Sequence, residues 1–203
     1  MKTLVDRLIH DGYLKTSRII DAFWKINRED FVPAEIRDEA EINAPLPIGF
    51  GQTISQPLTV AFMLELLEPK EGEKILDVGS GSGWTSSLLA DIVGETGKVF
   101  AIERIGKLCE FGRTNAGKYH FNNLEFINGY GSRGYQKEAP FDRIIVGAAA
   151  FEKIPEEMKE QIRVGGRLVI PVDGSIWLVE KLGENEYKET EYPGFVFVPL
   201  IER

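Results

Sequence analysis

Gly79, Gly81 and Gly83 alternate with other residues directly after the apolar run Ile75, Leu76 and Val78 and before a helix-like segment, Thr85 to Val93. That order reads as a buried strand, a tight turn and a helix start. Such a turn lets a ligand approach backbone N–H groups at the positive end of a helix. Glu103 stands 20 residues after Gly83, at the end of the next strand-like run, Lys98 to Glu103. A carboxylate there can accept hydrogen bonds from both hydroxyls of a ribose. Asp77, just before the turn, suits the ordering of backbone amides or the holding of a cationic ligand group. With Ser80 inside the turn and Trp84 behind it, the group points to a nucleoside-bearing cofactor. Trp84 occupies the place of the third glycine in the dinucleotide pattern GxGxxG, which disfavours nicotinamide and flavin.

The elements that must position this group alternate in type. KILDV reads as a strand and WTSSLLADIV as a helix; KVFAIE is a strand, and RIGKLCEFGRTNAGKY a helix weakened by Gly106, Gly112 and Gly117. LEFI and FDRIIVGA follow as strands, PEEMKEQI as a short helix, and VGG turns into the strand RLVIPV. IWLVEKL and GFVFVPLIE read as two final strands, close enough for an antiparallel pair. The expected fold is α/β: a Rossmann-like, doubly wound and mostly parallel sheet with an antiparallel C-terminal edge. Residues 1–30 read as an N-terminal helical extension, with Ser17 as the cap of its second helix. Between them, DFVPAEIRDEAEINAPLPIGFGQTISQP carries Pro33, Pro45, Pro47, Pro57, Gly49 and Gly51 and reads mostly as loop. A loop this long inside a compact domain is usually functional, and its apolar content argues against disorder. Ser55 or Thr53 then stands where it can cap the helix PLTVAFMLELLE.

Bulk properties narrow the class. The formal charge of −8 makes sequence-blind nucleic-acid binding a poor fit. The single cysteine, Cys109, excludes an internal disulfide framework and a thiolate metal cluster, and no metal site is expected. The N-terminus lacks the apolar core of a signal peptide, and no run approaches the roughly 20 apolar residues of a membrane span. The reading is a soluble cytoplasmic protein of one domain that acts as a monomer without nucleic acid or membrane.

The sequence LDVGSGSG, with an acid ending the next strand, resembles the cofactor site of S-adenosylmethionine-dependent methyltransferases. The loop PLPIGFGQTISQP resembles the substrate loop of the protein-L-isoaspartate O-methyltransferases. DFVP, NAPLPIG, EAPFDRIIVGAAA, VGGRLVIPV and the terminal FVPL match that family in order, so the likeness runs from about Ile19 to Leu200. The resemblance implies one methyltransferase domain over 1–203, in which 1–69 supplies N-terminal helices and the substrate loop and 70–203 the cofactor-binding core. It implies S-adenosyl-L-methionine as cofactor, S-adenosyl-L-homocysteine as product, and isoaspartyl-containing proteins and peptides as partners. The acceptor is then the free α-carboxylate of an L-isoaspartyl residue. In this reading Ser55 hydrogen-bonds the acceptor carboxylate, and Gln52, Thr53 and Ile54 shape its loop. Asp77, Gly79, Ser80, Gly81, Gly83, Trp84, Glu103, Gly129, Tyr130 and Gly131 form the cofactor side.

Two positions depart from the family pattern. Tyr130 replaces an aspartate that reads the adenine amino group, and Phe151 stands where a proline is usual. A tyrosine can stack on or abut adenine but supplies no carboxylate. Two alternatives stay open: an enzyme of the same fold with another acceptor, and a catalytically silent relative that binds protein segments.

Overall fold

The computed structural model describes residues 3–202, so Met1, Lys2 and Arg203 lie outside it. The helical extension begins with α1 (Leu4–His10), opened by a capping box in which Thr3 and Asp6 satisfy each other's backbone N–H groups. In α2 (Ser17–Lys25) Thr16, not Ser17, is the cap residue, and it makes no side-chain cap bond. The Thr16 hydroxyl is engaged elsewhere, donating to Glu65 Oε2 at 2.7 Å. Two 3₁₀ turns, Arg28–Phe31 and Ala34–Glu39, lead into a segment that is not all loop. Its end is a hairpin of β1 (Leu46–Gly49) and β2 (Gln52–Ile54), with Leu46 opposite Ile54. Helix α3 (Pro57–Leu67) follows, with Pro57 in its first turn, where a missing N–H costs little.

The main sheet is built from β3 (Lys74–Val78), β4 (Lys98–Glu103), β5 (Leu124–Asn128), β6 (Phe141–Val146), β7 (Ile162–Val172), β8 (Ser175–Gly183) and β9 (Glu186–Pro193). Their order is β5-β4-β3-β6-β7-β8-β9, parallel from β5 to β7 and antiparallel from β7 to β9. The expected fold class is therefore the one observed. β3 and β6 are covered on both faces, which is why they read as near-continuous apolar runs. Helices α4 (Trp84–Val93), α5 (Gly106–Gly117) and α6 (Glu156–Glu160) make the crossovers.

Two strand readings change. The VGG segment is no turn but lies within β7. The last strand is the polar EYKETEYP, not GFVFVPLIE. As the outer strand of the sheet it has one neighbour and needs little apolar surface. Gly194, at φ 101°, ends the pairing, and the chain after it crosses the sheet's end. That tail packs Phe195 on α3, stacked on Phe62 at 5.2 Å, while Val196 stays exposed. It is pinned by Ala149 N–H to the Val198 carbonyl and Leu200 N–H to the Ala149 carbonyl, at 2.8 and 2.7 Å. Among the described residues no helix is long and apolar enough to cross a membrane.

Candidate active site

Strand order reverses at β3, which has β4 on one side and β6 on the other. In open α/β sheets ligands bind beyond the carboxyl ends of the strands at such a point. The turn after β3 sits there. Gly79, Gly81 and Gly83 hold φ of 80°, 53° and 89°, a region costly for other residues. The turn is fastened by Gly79 and Ser80 N–H groups donating to the Ile102 carbonyl, at 2.8 and 3.1 Å. Gly83 caps α4, whose first turn has neither a side-chain cap nor an acidic residue. Its unpaired N–H groups and positive dipole suit an anionic ligand group.

Glu103 closes the turn from β4. It is only 6% exposed, and its two carboxylate oxygens accept from Gly81 N–H at 3.0 Å and Ile105 N–H at 2.8 Å. Each oxygen keeps acceptor capacity for a hydroxyl. Asp77 is buried and accepts from Ser86 Oγ at 2.5 Å. Burial pushes its pKa up to about 7, with the Ser86 bond opposing and the negative charge of Glu103 adding to the rise.

Three adjoining cavities surround the turn. The first is a narrow cleft of about 60 Å³. Glu103, Gly79, Gly81, Gly129, Tyr130 and Gly131 line it. The second lies over Asp77, Ser80, Ser82 and Trp84, and the third between Ser55 and the tail Gly194 to Val198. Thr53 and Gly147 are the residues common to all three. A nucleoside-bearing donor in the first two and an extended acceptor in the third would meet there.

The structure brings most of the sequence-predicted residues together. Gln52 borders the first cavity, Ile54 the second, and Ser55 the second and third. Neither Ser55 nor Thr53 caps α3; Gln56 holds the cap position and makes no side-chain cap bond. Trp84 lines the second cavity, but its indole N–H donates to the Ile26 carbonyl at 3.2 Å and its ring meets Phe23 edge-on. The cation over that ring is the Arg28 guanidinium, 5.5 Å from the centroid. Gly131 is glycine because a Cβ there would lie 2.7 Å from Val78 Cγ1. Tyr130 is 48% exposed at the rim of the first cavity. Phe151 is 78% exposed and lines none of the three.

Sequence reasoning missed Gly147, Ile48 and the tail Val198 to Ile201 as lining residues. A signal existed for the tail: an apolar run containing Pro199 is a poor inner strand. Gly147 was visible only as one small residue in GAAA; its Cβ would lie 3.0 Å from the Gly79 carbonyl.

Comparison with known proteins agrees with this geometry. A protein from Methanopyrus kandleri named protein-L-isoaspartate O-methyltransferase is 44% identical over 203 residues, covering 98% of this chain and 89% of its own. Archaeoglobus fulgidus protein-L-isoaspartate O-methyltransferase 2 is 45% identical, covering 97% and 90%. A Plasmodium falciparum PCMT chain, crystallised in complex with S-adenosyl-L-homocysteine, superposes with a TM-score of 0.88 over the full length of both chains at 22% identity, which speaks to the fold. The family model described as Protein-L-isoaspartate(D-aspartate) O-methyltransferase (PCMT) matches residues 1–203, and the chain belongs to that family.

Proposed function

We propose that this chain transfers the methyl group of S-adenosylmethionine to the free α-carboxylate of L-isoaspartyl residues in damaged proteins and peptides, releasing S-adenosylhomocysteine. The observation that carries the reading is the meeting of three cavities at Thr53 and Gly147 in a chain of this family. The residues present fit the cofactor. Glu103 has acceptor capacity for the ribose, and Val78, Ile102 and Tyr130 offer an apolar slot for adenine. The hydroxyls of Ser80 and Ser82 are buried with no protein partner, which suits groups that serve a ligand.

When bound, the cofactor supplies an electrophilic methyl on sulfur. The acceptor carboxylate has a reference pKa of about 3.5 and is ionised at pH 7, so no residue of this chain need remove a proton. The protein's task is to orient two reactants in line and exclude water. Ser55 donates a neutral hydrogen bond that orients the acceptor without masking its charge, while Gln52, Thr53 and Ile54 shape the hairpin around it. The methyl ester then loses methanol to give a succinimide, which can reopen to normal aspartate.

Two variants probe the cofactor side. Tyr130→Asp restores a carboxylate at the rim of the adenine slot and is expected to tighten S-adenosylhomocysteine binding several-fold by calorimetry, a hydrogen bond being worth about 0.5–1.5 kcal/mol. Unchanged or weaker binding would remove Tyr130 from the adenine edge. Asp77 gives a pH signature. Its folded pKa is raised, so its contribution to the stability of the free protein is present below pH ~4 and is lost as pH rises through about 7. A cationic group beside it favours the anion and expels the proton. Cofactor affinity should therefore rise between pH 5.5 and 7, by at most about tenfold per pH unit. Asp77→Asn should flatten that rise; an equal rise in the variant would contradict the pairing.

The acceptor assignment is tested by steady-state methylation of an isoaspartyl peptide. Ser55→Ala should lower kcat/KM for the peptide about tenfold or more while leaving the S-adenosylhomocysteine Kd unchanged. Unchanged peptide kinetics would move the acceptor away from Ser55.

A further inference from the structure

Arg28 is buried, 5% exposed, and among the described residues it forms no salt bridge, Glu41 acting on its charge only from a distance. Its guanidinium instead donates to four backbone carbonyls. Nη1 reaches Ala40 and Ile42 at 2.9 and 3.1 Å, and Nη2 reaches Ala44 and Ser55 at 2.8 and 3.2 Å. Ala44 and Ser55 flank the β1–β2 hairpin, so one nitrogen ties its two legs together at the base. The plane of the same group lies over Trp84, the first residue of α4 after the glycine turn. Trp84 is itself hydrogen-bonded to the Ile26 carbonyl, two residues from Arg28.

The anchor is itself tied down. The 3₁₀ turn that carries Arg28 is fixed to the end of α5. Asn27 N–H donates to Tyr119 Oη at 2.9 Å, Tyr119 Oη donates to Asp30 at 2.8 Å, and Lys118 donates to the other Asp30 oxygen at 2.7 Å. Arg28 lines none of the three cavities, so it touches neither reactant.

We infer that Arg28 is a positioning residue for methyl transfer: it sets the acceptor hairpin, and Ser55 with it, at a fixed distance from the cofactor turn. The inference rests on the methyl-transfer reading of the cleft. A buried cation whose two terminal nitrogens reach four carbonyls, with Nε left unpartnered among the described residues, stabilises one loop conformation, because the alternative strips the buried charge of those partners as well. In-line transfer needs that conformation, since misplacement by about 1 Å can cost on the order of 100-fold in rate. A lysine cannot substitute. Its single nitrogen cannot span four carbonyls with the planar fork of a guanidinium.

The test compares Arg28→Lys and Arg28→Met with the wild-type protein. It measures kcat and KM on an isoaspartyl peptide, S-adenosylhomocysteine affinity by calorimetry, and amide hydrogen exchange. Both variants should lose roughly 10- to 100-fold in kcat. Cofactor Kd should stay within about threefold, because the Glu103 side of the site is untouched. Exchange should accelerate for amides of 44–55 and not for β3 or β4. A folded Arg28→Lys with kcat within twofold of wild type would overturn the inference. So would a parallel loss of cofactor affinity, or failure of both variants to fold, each of which assigns Arg28 to general stability. Failure of the underlying reading looks different: the wild-type protein itself would label no isoaspartyl peptide.

Discussion

Glu103→Gln is expected to raise the Kd for S-adenosylhomocysteine on the order of 100-fold, about 2.7 kcal/mol. The change is isosteric, yet it is not conservative at this position. Both oxygens of Glu103 already accept backbone N–H groups, from Gly81 and from Ile105. A glutamine has one acceptor oxygen, so its amide nitrogen must face one of those donors. One N–H in the turn is then left unpaired, which costs about 1–3 kcal/mol, and the ribose loses a charged acceptor worth roughly 1.5–3 kcal/mol against a neutral one. Chemical denaturation reads the first consequence and calorimetry the second. A Kd within threefold of wild type would mean that Glu103 holds the turn and nothing else.

Gly83→Ala is expected to destabilise the fold by about 2–5 kcal/mol, the most of any single methyl added in the turn. Two causes add. The position holds φ 89°, which costs an L-residue roughly 1–2 kcal/mol. A Cβ there would also lie 2.9 Å from the Gly112 carbonyl and 3.0 Å from Phe126 Cζ. That overpacking costs typically 1–3 kcal/mol more, because the backbone of α5 cannot swing aside like a flexible side chain. Gly79→Ala isolates the first cause: φ is 80°, but the nearest atom is 3.7 Å away. Gly129→Ala has neither strain nor neighbours within 4 Å and should be near neutral. Urea denaturation should rank the three in that order. Equal losses at Gly83 and Gly79 would show that α4 and α5 are not in close contact through their glycines.

That contact also explains a feature that looked like a weakness in the sequence. Gly112 lowers helix propensity in α5, but its Cβ would lie 2.9 Å from Phe126 and 3.0 Å from the Gly81 carbonyl. The helix forgoes a side chain so that the cofactor turn can pass close by. β3, α4 and β4 were legible to the residue because their signals are local: apolar runs, then glycines, then helical spacing. The acceptor hairpin was not. Its tip places Gly49, Phe50 and Gly51 all at positive φ, and a phenylalanine gives no sign of that conformation. Apolar content points to GFVFVPLIE as the last strand, and the structure puts that strand in a polar segment. In GFVFVPLI, Phe195 covers α3 and Val198 to Ile201 wall the cleft, whereas the edge strand EYKETEYP has only one neighbour to satisfy. Arg28 left no sequence trace because its partners are backbone carbonyls 12 to 27 residues further along, which any residue type supplies.

The central claim concerns the acceptor. The direct measurement is formation of base-labile methyl ester from methyl-labelled S-adenosylmethionine on two peptides identical except that one carries L-isoaspartate and the other L-aspartate. The account predicts labelling of the isoaspartyl peptide and background labelling of its twin, because only the former presents a free α-carboxylate on a short branch to the cleft between Ser55 and the tail. Equal labelling of the two peptides, or none of either, would contradict it.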